Sequence, residues 1–140
     1  MRPTIEPGDW LLVDPTVRRW PRRGSIVVFR EPESDVLAIK RVAATPGDVV
    51  HGVRVTDPAT GQEVEVTIRL VPDEAWLLGD DRGASVDSRR YGPVALERLV
   101  GRAWFRYAPL SRVGILRRSR GGLPGSGGLP GLGGLPGSGD

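Results

Sequence analysis

Residues 25–43 read SIVVFREPESDVLAIKRVA, and this stretch decides the fold. Ser25 to Phe29 is a run of β-branched and apolar side chains of strand length. Glu31 to Asp35 is a polar turn carrying Pro32. Val36 to Ala43 resumes the apolar pattern as a second strand, with Lys40 in its middle. Working outward, Trp10 to Val13 reads as a short buried strand, followed from Asp14-Pro15 by a loop through the basic Arg18–Arg23 segment. Pro46-Gly47-Asp48 is a turn, and Val49 to Val55 a further strand. Asp57 to Gly61 is a strong turn. Glu63 to Leu70 then alternates Val64, Val66 and Ile68 with Glu65, Thr67 and Arg69, as a half-exposed strand does.

Trp76 to Leu78 is a short apolar strand, Gly79 to Tyr91 a polar loop, and Gly101 to Tyr107 a last strand. Residues 94–100 (VALERLV) are expected to form one helical turn. Many short strands with closely spaced turns predict a mainly β fold, a barrel or sandwich. Residues 1–120 suffice for one domain with one modest core. Residues 121–138 repeat GGLPGS, GGLPGL, GGLPGS, too short a Gly-X-Y run for a triple helix, so 121–140 is expected to be a disordered tail.

Composition removes several functions. The chain has 140 residues and no cysteine, which excludes disulfides and thiolate zinc sites. A single histidine, His51, excludes a multi-histidine metal cluster and argues against a Ser-His-Asp triad. It is expected at a surface turn. No stretch approaches the roughly 18–20 apolar residues of a membrane span. The net charge of +3 is mild, and the arginine clusters lack the interleaved aromatics of a single-stranded nucleic-acid platform. No nucleic-acid partner, cofactor or metal is expected. Asp80 and Asp81 are adjacent carboxylates, but no further acidic cluster completes a magnesium site.

Of the twenty basic residues, nineteen are arginine and one is Lys40. Arginine stays protonated in proteins, whereas a buried lysine can give up its proton. A site that needs a neutral amine therefore cannot use arginine.

Three segments carry chemistry only in combination: MRPTIEPGD at 1–9, IKRVAATPGD at 39–48 and LLGDDRGASVDSRRYGPV at 77–94. In this order and spacing the chain resembles the type I signal peptidases over roughly residues 1–116. The matching positions are Met1, Pro3, Thr4, Ile5, Gly8 and Asp9; Ile39, Lys40, Arg41, Val42, Pro46, Gly47 and Asp48; and Gly79, Asp80, Ser85, Asp87, Ser88, Arg89, Tyr91 and Gly92. The resemblance implies a serine endopeptidase that removes signal peptides from exported preproteins with a serine–lysine dyad. Lys40 is then the general base, with Ser85 holding its amine. Asp87 and Arg89 form a supporting ion pair, with Asp80 and Ser88 in the same loop. Met1, Pro3 and Ile39 border the substrate, which lies extended as an added strand. A serine hydroxyl becomes a competent nucleophile only when a base takes its proton. Lysine does this only when uncharged near neutral pH, which burial among apolar groups favours.

The resemblance places the nucleophilic serine directly before Met1, with a second hydroxyl of the oxyanion hole and the membrane anchor further upstream. The expectation is therefore a catalytic domain on the extracytoplasmic face of the cell membrane, monomeric, with a start assigned one residue too late. Asp81 replaces the family's asparagine, and Ser25 follows Gly24 where aspartate is usual; both are expected to be surface changes. Trp76 and Trp104 are expected in the core, and Trp10 and Trp20 either in the core or on a membrane-facing apolar rim. Two other readings stay open. One is a dedicated maturation protease for a single precursor, such as that of a nickel superoxide dismutase or a conjugative pilin. The other is an inactive module that holds extended peptides.

Overall fold

A computed structural model describes residues 1–118. The expected tail at 121–140 lies outside the described residues. The main sheet holds β1 (Trp10–Asp14), β2 (Ile26–Arg30), β3 (Leu37–Ala44), β6 (Glu74–Leu78), β7 (Val94–Ala95) and β8 (Leu99–Ala108), with β9 (Gly114–Ile115) added to β8. Its order is β1-β8-β2-β3-β6-β7, every pair antiparallel. A separate two-stranded ribbon pairs β4 (Val49–Thr56) with β5 (Glu63–Arg69). The fold is mainly β, as expected. Among the described residues the sheet runs as an open path from β1 to β7 and does not close into a barrel.

The uninterrupted apolar run in β2 has a direct explanation. Strand residues alternate between faces, and both faces of β2 are covered. Val27 and Phe29 pack with Trp20, Val42, Leu77 and Val94. Ile26 and Val28 pack on the other side with Ala103 and Leu116, and with Met1, Ile5, Leu11 and Ile39 at their edge. A third cluster, which includes Ala44, Val50, Leu70 and Trp76, seats the β4–β5 ribbon on the end of β3. Gly101 in β8 lets β1 come close, because a Cβ there would lie 2.6 Å from the Asp14 carbonyl oxygen and from Val13 Cγ1.

Several local expectations change. Residues 94–100 divide into β7, a 3-10 turn at Leu96–Arg98 and the start of β8. The loop after β6 contains a short helix, α1 (Ser88–Tyr91), capped by the Asp87 side chain, which accepts from the Arg89 N–H. Trp104 is not core: it is 39% exposed, because strand alternation sends Ala103 inward and its neighbour outward. Trp20 is core, with its indole N–H donating to the Asp73 carbonyl at 2.9 Å. Trp10 is exposed and meets Tyr107 edge-on. Ser25 is buried rather than a surface change, at the point where Gly24 and Ser25 bond the backbone of Val42. His51 lies within β4, its ring beside the Thr67 hydroxyl at 3.4 Å, and not at a turn.

Candidate active site

Lys40 sits in β3 opposite Val27 of β2. On its other side β3 is paired with β6 only from Arg41 to Ala44. Leu37 to Lys40 therefore present a strand edge that β6 does not cover. The Lys40 amine leaves this edge and donates to Ser85 Oγ at 3.0 Å. Ser85 can approach because residue 79 is glycine: a Cβ there would stand 2.0 Å from Ser85 Oγ, 2.6 Å from Ser85 Cβ and 3.5 Å from Lys40 Nζ.

The loop that carries Ser85 is fixed by two buried side chains. The fully buried Asp87 carboxylate accepts the Gly79 N–H at 3.0 Å and receives Arg89 through Nε and Nη2, both at 2.9 Å. Burial pushes the Asp87 carboxyl up, but these bonds outweigh it and hold the group below its ordinary value. The buried Ser88 hydroxyl accepts the Leu77 N–H at 2.9 Å. The loop is thus stapled to the backbone of β6 at Leu77 and just beyond its end at Gly79. Arg89 also donates to the Arg82 carbonyl at 2.8 Å, tying the two ends of the loop together.

Asp80 belongs to a different network. Arg41, next to Lys40 in β3, grips it with a fork: Nε to Oδ1 at 2.8 Å and Nη2 to Oδ2 at 2.7 Å. The Thr4 hydroxyl donates to the same carboxylate, and Arg41 also bonds the Gly24 carbonyl. Burial raises the Asp80 carboxyl, and the Arg41 and Thr4 bonds more than reverse this. Asp80 is therefore a tie between the N-terminal segment, β3 and the loop. Asp81, its neighbour, is exposed.

Met1, Arg2, Lys40, Asp81, Ala84 and Ser85 line one open cleft of about 370 Å³. A second open groove, of about 460 Å³, runs on past Met1 between Ile5, Leu11 and Ile39. The structure so brings together Met1, Lys40 and Ser85, with Ile39 along the continuation. Pro3 is exposed and borders neither space. Sequence reasoning assigned no role to Arg41, Thr4 or Asp9. Their one signal was position, since each stands within the matched segments. Which partner each takes depends on residues far away in the chain.

Known proteins resemble this chain in sequence. The family model described as "Signal peptidase, peptidase S26" matches residues 1–57 and 53–108. The chain is 35% identical to signal peptidase I of Leptolyngbya laminosa, over 83% of this chain and 68% of that protein. It is 37% identical to the mitochondrial ATP-independent inner membrane protease subunit 1b of Arabidopsis thaliana, over 83% of this chain and 69% of that protein. A crystal structure of a signal peptidase I from Enterococcus faecalis V583 overlays with a TM-score of 0.46 at 21% identity, covering 60% of this chain and 97% of that one. Among the described residues no helix is long and apolar enough to cross a membrane.

Proposed function

The chain belongs to the signal peptidase family, peptidase S26, a family of serine endopeptidases that remove signal peptides, and from that premise we propose how its own residues work. Lys40 is the general base, Ser85 orients its amine, and the nucleophile is a serine joined to the nitrogen of Met1. One observation carries this reading: Met1, Lys40 and Ser85 line a single cleft, with the Lys40 amine on Ser85 Oγ. A residue attached to Met1 would begin at the lining of that cleft, which the Lys40 amine shares.

The Lys40 amine takes the serine proton as the serine oxygen adds to the scissile carbonyl. The C–N bond then breaks, and the leaving amine takes the proton back from Lys40. Water, deprotonated by the same amine, attacks the acyl-serine; the ester C–O bond breaks, the serine oxygen takes the proton back from Lys40, and the signal peptide is released. The substrate lies extended along the edge of Leu37–Lys40 that β6 leaves open, adding a strand to the sheet. Met1 and Ile39 face the residues before the cut; Pro3, being exposed, shapes the segment rather than a pocket.

The substrates are signal peptides of exported preproteins, and the domain works as a monomer on the extracytoplasmic face of a cell membrane. The exposed side chains Trp10, Leu12 and Tyr107, on neighbouring strands, form an apolar surface suited to that position. Matches to signal peptidase I and to organellar processing peptidases do not favour a dedicated maturation protease or an inactive peptide-binding module.

The test is a paired cleavage assay on an Ala-x-Ala precursor peptide. One protein is the chain from Met1; the other carries an N-terminal extension ending in serine, with Lys40→Ala as control. Turnover with the extension only, abolished by Lys40→Ala, is the expected result. Equal cleavage by both proteins would mean that another nucleophile acts.

A further inference from the structure

Residues 1–9 belong to no strand, yet they carry the end of the chain that lines the catalytic cleft. Their internal bonds are few: Ile5 N–H to the Met1 carbonyl and Asp9 N–H to the Glu6 carbonyl, both at 3.1 Å, Glu6 N–H to Asp9 Oδ2 at 2.9 Å, and an ion pair from the exposed Arg2 to Glu6 at 3.3 Å. Something outside the segment must set its position. Two arginines from the other end of the domain do so. Arg112, in the 3-10 turn Leu110–Arg112, holds the Asp9 carboxylate through Nε to Oδ1 and Nη2 to Oδ2, each at 3.2 Å. Arg106, in β8, reaches Asp9 Oδ2 at 3.4 Å. The Asp9 side chain is 2% exposed, so water offers little competition for these bonds.

The same guanidinium groups converge on a second acceptor. The Thr4 carbonyl receives Arg106 Nη1 at 2.7 Å and Arg112 Nη2 at 3.3 Å. Arg106 Nε also donates to the Arg112 carbonyl, so the two arginines form one unit. Thr4 is therefore held on two sides, its hydroxyl by Asp80 and Arg41 and its carbonyl by Arg106 and Arg112. The first clamp comes from the strand and loop that bear Lys40 and Ser85. The second comes from the closing strand and turn.

We propose that Arg106 and Arg112 are positioning residues for peptide-bond cleavage, holding Thr4 and Asp9 so that the group joined to Met1 stays in register with the Lys40 amine. This rests on the assignment of the nucleophile to the position before Met1. Neither arginine lines the cleft. Their contribution is distance control, and a displacement of about 1 Å costs on the order of 10²-fold in rate.

The experiment has two arms. In the serine-extended protein, Arg112→Ala lowers kcat by on the order of 10²-fold and changes KM by a smaller factor, although Ile5 and Asp9 also line the groove past Ile39. Arg112→Lys, which keeps the charge but loses the fork, falls between. Added ethylguanidinium restores part of the Arg112→Ala rate and leaves the parent unchanged. A loss carried by KM, or a loss that ethylguanidinium does not relieve, overturns the proposal. The second arm needs no turnover. In the chain from Met1, Arg112→Ala speeds hydrogen exchange at the Ile5 and Asp9 amides and leaves Val27 and Val42 protected. Unchanged exchange at Ile5 and Asp9 also overturns it. A serine-extended parent that does not cleave sinks the nucleophile assignment instead, and the exchange arm still decides whether the clamp exists.

Discussion

Gly79→Ala puts the proposed site under the most local stress available. The added Cβ would stand 2.0 Å from Ser85 Oγ and 2.6 Å from Ser85 Cβ. A rotation of the hydroxyl relieves the first contact but not the second, because Cβ moves only with the backbone. Reaching a tolerable separation of about 3.4 Å requires Ser85 to retreat by at least about 0.8 Å, the gap to its Cβ. Its hydrogen bond to Lys40, now 3.0 Å, then stretches beyond useful length. Retreat is resisted by the two buried staples just after Ser85, Asp87 to the Gly79 N–H and Ser88 to the Leu77 N–H. Overpacking of this kind costs about 1–3 kcal/mol in stability. Loss of the orientation of Lys40 costs on the order of 10²-fold in turnover. The assay is kcat/KM of the serine-extended protein on an Ala-x-Ala peptide, alongside a urea melt. Combining Gly79→Ala with Ser85→Gly returns the room, so stability recovers while turnover stays low. A Gly79→Ala protein with parental kcat/KM would refute the reasoning, because Ser85 could not then be the group that holds Lys40.

Three further outcomes follow from the same contacts. The folded Asp87 carboxyl lies below its ordinary value, so its contribution is full above about pH 4, the unfolded carboxylate range, and is lost as pH falls through the depressed value. Asp87→Asn therefore lowers stability at pH 7 by about 2 kcal/mol and flattens the acid limb of a melting-temperature profile below about pH 4; an unaltered acid limb would count against the ion pair with Arg89. Arg41→Lys keeps the charge but replaces a two-pronged grip on Asp80 with a single bond and gives up the Gly24 contact, at a cost of about 1–3 kcal/mol in a denaturant titration. Trp20→Ala costs about 3–5 kcal/mol, whereas Trp104→Ala on the outer face of β8 costs about 1 kcal/mol or less, so parallel melts separate the two tryptophans.

The strands were legible because each is declared by its own residues. The run at Ile26–Phe29, the alternation from Glu63 to Arg69 and the turns at Pro46-Gly47 and Asp57-Pro58 need no distant partner to be read. Trp104 was misplaced for the complementary reason. A large aromatic in a strand has the same local signature on either face, and only the position of Ala103 against β2 tells which way it points. Ser25 is similar: a small polar residue looks like surface until Val42 is seen bonded to its backbone. The open path of the sheet was also out of reach, since closure depends on which strand edges meet.

By itself, the sequence determined that the chain is mainly β, that Lys40 is its single lysine, and that three segments have signal-peptidase spacing. These are properties of composition and of short-range pattern, set by side-chain volume, branching and proton affinity. Tertiary structure alone decided which charges meet. It gave Asp80 to Arg41 and Thr4, 39 and 76 residues away, and Asp9 to Arg112, 103 residues away. A carboxylate has no local preference among nineteen arginines; the folded backbone selects its partner by bringing one guanidinium within hydrogen-bonding distance and burying the pair away from water.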